Sequence, residues 1–395
     1  MNVEPSTHEE LFGGTEVSPV ENPYPAYRRL RHEHPVMPVR TTFGEIAYLV
    51  TRYDDVHHVL RNDSVFSNRS NEHGISLVMG RTIIEMDGDE HLRHRKLVRP
   101  EFAPRALKGD FEKTVEDTAH ELIDGFAGRG HADLVKEFTF TFPLMVLTKI
   151  LGLPVSDYDT FHRWATDLTL IARDPEKGMA ASRALADYLH PVLEQRKAEP
   201  AGDLISALAH ARIDDHRLTE EEIVSFLRLL ILAGAETSYH LIGSALFALM
   251  NGGGALQTVV EDRTRIESVM TEVIRWESPI QMTTRETLAP VTIAGFEIPA
   301  RVDVIAMLGS ANRDESQFDD PDRFDLQRTR GEHISFGFGR HFCLGARLAK
   351  LEFTVAINTL LDRLPDLRPD PERWPGAGVV GLAFRGPNSL PVLFG

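Results

Sequence analysis

The chain has 395 residues, 42% of them hydrophobic, and its 43 Lys plus Arg against 59 Asp plus Glu give a formal net charge of −16. This length suits one large domain or two ordinary ones with ample material for a core, and the acidic balance argues against nucleic acid as a non-specific partner. A single cysteine, Cys343, rules out an internal disulfide and fits a reducing cytosol.

The residues from Met1 to Val20 are polar and acidic, without the basic and apolar regions of a secretion signal. The longest apolar run, Leu229 to Ala235, falls far short of the roughly 18 residues that span a membrane. A soluble, cytoplasmic chain without a membrane anchor is expected. Apolar spacing, caps and stop signals predict helices over 25–34, 53–61, 90–98, 104–127, 143–151, 156–172, 177–198, 203–211, 219–250, 257–263, 266–276 and 344–364. Short β-branched or aliphatic runs predict strands at 46–51, 291–293, 296–298, 302–307 and 390–394. The fold class is mainly α with a small β region, and no internal repeat is visible.

The long central pattern opens on a capping box, Thr219-Glu220-Glu221-Glu222, and stops at Asn251-Gly252-Gly253-Gly254. About thirty residues span roughly 45 Å. Apolar residues on several faces, among them Ile223, Phe226, Leu229, Leu232, Leu246 and Leu249, predict a buried helix. Its middle reads Ala233-Gly234-Ala235-Glu236-Thr237-Ser238, which places a charge and two hydroxyls where burial is costly. Two readings stand at this point. Thr237 can bond back to the carbonyl four residues earlier while Glu236 finds a structural partner. Alternatively, small Ala233 and Gly234 admit a ligand and permit a local break in the helix ladder.

His91 and Arg95 share a helical face, and so do Glu272 and Arg275; a basic surface and a surface salt bridge are the plain readings. Cys343 falls at the start of the last helix, where unpaired N–H groups favour an anion. Gly337, Gly339 and Gly345 allow a tight turn, and Arg340 and His341 put positive charge beside the sulfur. A lone cysteine is often a buried apolar filler; this frame instead suits a thiolate that binds a metal.

Phe336-Gly337-Phe338-Gly339-Arg340-His341-Phe342-Cys343-Leu344-Gly345 resembles the heme-binding loop of the cytochrome P-450 superfamily. The likeness runs in order from about Asn22 to Phe394. It implies a polar segment, 1–21, followed by a single domain, 22–395, with heme b held between the central helix and the cysteine-loop helix. By this resemblance Cys343 is the proximal thiolate, with Phe336 and Gly337 in its loop and Ala233 and Gly234 against the opposite heme face. Thr237 hydrogen-bonds dioxygen and orders water, and Glu236 relays protons. His91, Arg95, Arg285 and His341 hold the propionates. Glu272 and Arg275, with Arg323 of Pro321-Asp322-Arg323-Phe324, form a buried ion network. Two departures are Ala300-Arg301, where the family often has Gly after Ala, and Ser238 in place of a second threonine.

The substrate walls implied are Leu229 or Leu230, Ala233, and the stretches 75–84, 168–173, 280–284 and 382–384. Among these are Ile84, Met282, Thr283 and Phe384, with Thr284 and His73 as further polar groups. Such a mix suits a small, mainly apolar molecule. The implied activity is a monooxygenase that inserts one atom of O2 into that substrate by hydroxylation or epoxidation. No flavin-binding or iron–sulfur sequence is fused and one cysteine cannot build a cluster, so ferredoxin and its reductase are the expected donors, docking near Arg340, Arg99 and Arg105. A non-catalytic heme-thiolate sensor is the alternative, which the Glu236–Thr237 pair argues against. A cysteine nucleophile with His341 as base lacks an orienting acid.

Overall fold

The computed structural model describes residues 4–15, 18–41, 44–169, 174–251 and 253–395. The central helix, Glu220–Asn251, has 32 residues. Its capping box forms in both directions: Glu222 N–H donates to Thr219 Oγ1 at 3.2 Å, and Thr219 N–H donates to Glu222 Oε2 at 2.7 Å. Two separate apolar cores grip this helix. Ile223, Val224, Leu227, Leu229 and Ile231 pack with Leu185, Leu189, Leu204 and Ile205. Leu241, Ile242, Ala245, Leu246 and Leu249 pack with Phe138, Phe142, Phe353 and Leu360. The two cores part in the middle. There Ala233 is exposed and Gly234 to Thr237 are only half-buried, although residues on both sides are buried. The helix is long and apolar enough to cross a membrane, but 67% of its most apolar window is buried inside the fold.

The cysteine helix, Ala346–Arg363, lies against the central helix, and Ser238 Oγ donates to Glu352 Oε2 at 2.6 Å between them. To one side stands a mixed sheet, ordered Ser6–Thr7, Val36–Arg40, Ile46–Val50, Asp303–Ala306, Thr283–Thr287 and Phe66–Ser67. Its register sets Ala47 opposite Asp303 and Arg285 opposite Val304, which aims Arg285 inward. The polar N-terminal segment is part of this architecture: Ser6–Thr7 pairs with the sheet, and Phe12 packs edge-on against Tyr27.

Some expected elements shift. The helix expected from 104 begins at Asp110, because Gly109 sits at φ +68 and interrupts the ladder. The last helix starts at Ala346, not Leu344. The expected helix over 156–172 is observed as Tyr158–Thr169; residues 170–173 lie outside the described residues. The Val36–Arg40 strand was not foreseen, since Pro38 lies inside it. At the noted departure from the family pattern, Arg301 takes φ +62, a left-handed backbone that glycine adopts more easily.

The ion network differs from expectation in one member. Glu272 takes a bidentate pair from Arg275, with Arg275 Nε to Oε2 at 2.8 Å and Nη2 to Oε1 at 2.7 Å. The second guanidinium on Glu272 belongs to Arg328, whose Nε lies 3.1 Å from both oxygens. Arg323 offers only its carbonyl, to Arg275 at 3.1 Å and Arg328 at 3.0 Å, while its side chain is exposed. Glu272→Ala is expected to destabilise the protein by about 3–5 kcal/mol, since it strands buried cations. Arg328→Ala should lose at least about 1–2 kcal/mol, and Arg323→Ala less than about 0.5 kcal/mol. Denaturant unfolding checks the order; equal losses at 323 and 328 contradict it.

Candidate active site

The cysteine loop turns on two left-handed glycines, Gly337 at φ +71 and Gly339 at φ +74. A Cβ on Gly339 would also stand 3.2 Å from the carbonyl of Leu60. Cys343 N–H donates to the Phe336 carbonyl at 2.8 Å and closes the loop. The sulfur precedes the first turn of the cysteine helix and accepts the N–H groups of Gly345 and Ala346. Cys343 is exposed. Loss of hydration pushes its thiol up, while those two N–H groups and the Arg95 guanidinium oppose the rise. Arg340, expected beside the sulfur, instead pairs with Asp63 at 2.5 Å, so Arg95 is the cation that bears on the thiol.

Basic residues from three distant segments converge next to this loop. His91, on the Gly88–Val98 helix, is 1% exposed, and neither ring nitrogen has a hydrogen-bond partner. Its ring stacks on His341 with centroids 4.0 Å apart. Arg285 comes from the sheet, is buried, and gives Nη1 to Thr283 Oγ1 at 3.1 Å and to the Thr284 carbonyl at 2.8 Å. Arg95 Nη2 donates to the Phe342 carbonyl at 2.5 Å. Burial and then Arg95 push His91 down to about 4; burial and then His91 push His341 down to about 2; burial pushes Arg285 down to about 10. Asp87, 3.8 Å from His341, is the nearby anion, and it is already occupied by Ser67 and Asn68. Two unspent nitrogens on buried His91, with His341 and two guanidiniums converging beside them, fit a bound dianion.

On the central helix, Thr237 Oγ1 donates to the Ala233 carbonyl at 2.7 Å. The helix continues unbroken, so the local break that its small residues allowed is not formed. Burial pushes Glu236 up to about 7, and His240 Nε2 lies 4.0 Å from its Oε1. Ser238 points the other way, to Glu352 on the cysteine helix. Sequence reasoning missed Glu352, although a carboxylate between Leu351 and Phe353 on an apolar face was a usable signal. Burial pushes it up to about 8, against the opposing Ser238 bond.

The supposed pocket walls divide. Ile84 and Leu229 belong to one apolar cluster. Ile280 and Phe384 form an antiparallel bridge, which joins the 280–284 stretch, with Met282 and Thr283, to Phe384. Leu382 is fully buried in the N-terminal core and is no wall. Leu230 lines a separate cavity of about 590 Å³ with Phe102, Leu107, Leu147 and Leu348. Leu168 is core.

A thiol at a helix start, a buried unbonded imidazole with three further bases beside it and an opened stretch in the middle of the central helix suit a flat, metal-centred group that carries carboxylates. The family model "Cytochrome P450" matches residues 12–161 and 156–373. The chain belongs to the cytochrome P450 family. It is 36% identical over 385 residues to cytochrome P450 107B1 of Saccharopolyspora erythraea, covering 93% of each chain. It is 36% identical over 384 residues to mycinamicin IV hydroxylase/epoxidase of Micromonospora griseorubida, covering 93% of this chain and 94% of that one. The solved CYP109E1 of Bacillus megaterium, in complex with testosterone, superposes with TM-score 0.85 at 30% identity, covering 94% of this chain and 99% of that one. This P450 is therefore a monooxygenase of the heme b class.

Glu352 supplies a test of the buried carboxyls. Its folded-state value lies above its unfolded one, so the stability it contributes is present below about 4.5 and is lost as pH rises toward about 8. Glu352→Gln removes that loss. The stability of the variant relative to the parent should rise by a few kcal/mol between pH 5 and pH 8 and then level off. A difference that stays flat across this range in denaturant titrations contradicts the assignment.

Proposed function

We propose that Cys343 would bind the heme iron through its sulfur, that His91, Arg95, Arg285 and His341 would hold the propionates, and that Glu236 and Thr237 manage protons. The observation that carries this reading is the buried His91 imidazole, unbonded at both ring nitrogens and stacked on His341, beside two arginines and the one thiol. When bound, heme b supplies dioxygen activation with two electrons and two protons, and a thiolate ligand favours O–O cleavage.

The chain's own part is positioning and proton handling. Stacked His91 and His341 are neutral at working pH and each has a ring N–H to give to a carboxylate. Arg95 and Arg285 add the charge. The N–H groups of Gly345 and Ala346 favour the anionic form of the sulfur and oppose the burial that pushes its thiol up. Phe336 and Gly337 shape the loop, and the small Ala233 and Gly234 leave room beside the middle of the central helix. Glu236, near 7, is poised to hold a proton and to give it up at neutral pH. Thr237 can turn its hydroxyl from the Ala233 carbonyl to order water.

The substrate is a small, mainly apolar organic molecule that undergoes hydroxylation or epoxidation against Ile84, Leu229, Ala233, Met282, Thr283 and Phe384. The mycinamicin and testosterone in the relatives' descriptions support that class. Electrons come from a ferredoxin and its reductase in the cytoplasm. Arg340 is tied to Asp63, so docking relies on exposed Arg99 and Arg105.

Thr237→Ala tests the proton-handling role. With a surrogate ferredoxin system, product formed per NAD(P)H should fall several-fold and peroxide should rise to match, while the ligand spectrum of the thiolate is kept. Coupling equal to that of the parent contradicts the role.

A further inference from the structure

Glu236 and His240 lie one turn apart on the central helix and share a face, with Glu236 Oε1 4.0 Å from His240 Nε2. The imidazole is fixed from behind. Gly386 approaches so closely that a Cβ there would fall 1.8 Å from His240 Nδ1. The Tyr239 ring packs on it at 3.9 Å between centroids. The side chain is 7% exposed, and Nδ1 has no hydrogen-bond partner. Blocked at Nδ1, the ring has one polar outlet, the nitrogen turned toward Glu236. A buried acceptor left unmet is tolerated better than a buried N–H left unmet, so the ring proton belongs on Nε2.

Resting on the reading of Glu236 as the proton-delivering carboxyl, we propose that His240 is a positioning residue whose Nε2–H holds Glu236 Oε1 and leaves Oε2 to carry the exchangeable proton. The 4.0 Å separation exceeds a direct hydrogen bond; a small rotation of the carboxyl or one bridging water closes it. The charged and titratable groups around the pair are consistent with a fixed, uncharged donor. Burial, then Arg385 from the C-terminal segment, pushes His240 down to about 3, so it stays neutral at working pH. Tyr239 is pushed up by burial and by Glu236, so its phenol keeps its proton. Glu352, on the cysteine helix, is engaged by Ser238. From the Val135–Thr139 turn, Thr139 offers a hydroxyl that does not titrate. A neutral donor favours the carboxylate and so opposes the burial that pushes Glu236 up.

The test uses the ferric, heme-loaded protein. The infrared band of the protonated Glu236 carboxyl, assigned by its loss in Glu236→Gln, is titrated in the parent, His240→Phe and His240→Asn. The midpoint should rise by about one pH unit in His240→Phe, which lacks a donor, and stay near the parent in His240→Asn, which keeps one. A parental midpoint in His240→Phe overturns the proposal. If His240→Phe does not fold, ring nitrogen resonances of His240 in the parent and in Glu236→Gln decide. Protonation at Nε2 and a shift on Glu236→Gln support the contact; an Nδ1–H ring overturns it. Should Glu236→Gln leave coupling unchanged while the infrared shift persists, the proton-delivery reading falls and the contact survives.

Discussion

Two neutral imidazoles stack 4.0 Å apart, His91 buried with both ring nitrogens unbonded and His341 partly buried, beside two arginines with one already occupied carboxylate at hand. Desolvated donors without acceptors weaken a fold, and desolvated cations without anions weaken it more. This cluster is drawn from a helix, a sheet strand and the cysteine loop, so it is built by the tertiary structure as a whole. A ligand with two carboxylates would settle it. The sulfur of Cys343 shares Arg95 with the cluster, so on the proposed reading retention of the cofactor would be linked to the ionisation of the thiol.

The scaffold answers a second demand. The central helix must be anchored firmly and still leave its middle open. Two apolar cores do this by gripping its halves and parting at Ala233–Thr237. Glu236 and Glu352 approach the central region from different sides, and burial raises both into the range where a carboxyl exchanges protons near neutrality. Ser238 and His240, neighbours in sequence of the opened stretch, each attend to one of them.

Much of this was readable from the chain. Capping box and glycine stop bound the central helix to within a residue, since both are local chemistry. The cysteine loop was readable because its glycines and aromatics serve no ordinary helix start. What escaped depended on long-range packing. Arg328 replaces the side chain of Arg323 on Glu272 because the irregular segment folds back on itself, with Arg323 turning only its carbonyl inward. The Thr283–Thr287 strand has no apolar alternation, because its inward residues are Arg285 and Thr287. Arg340 left the sulfur for Asp63, a partner more than 270 residues away in the sequence. Glu352 and His240 are buried polar residues among apolar neighbours, and only the elements packed against them reveal what they face.

The central claim is that Cys343 sulfur, as a thiolate, is the axial ligand. The most direct measurement is the absorption spectrum of the reduced, heme-loaded protein under carbon monoxide. The account predicts a Soret band displaced far to the red of a histidine-bound globin, and its loss in Cys343→His with heme still bound. A globin-like band in the parent protein, properly folded and loaded, would contradict it.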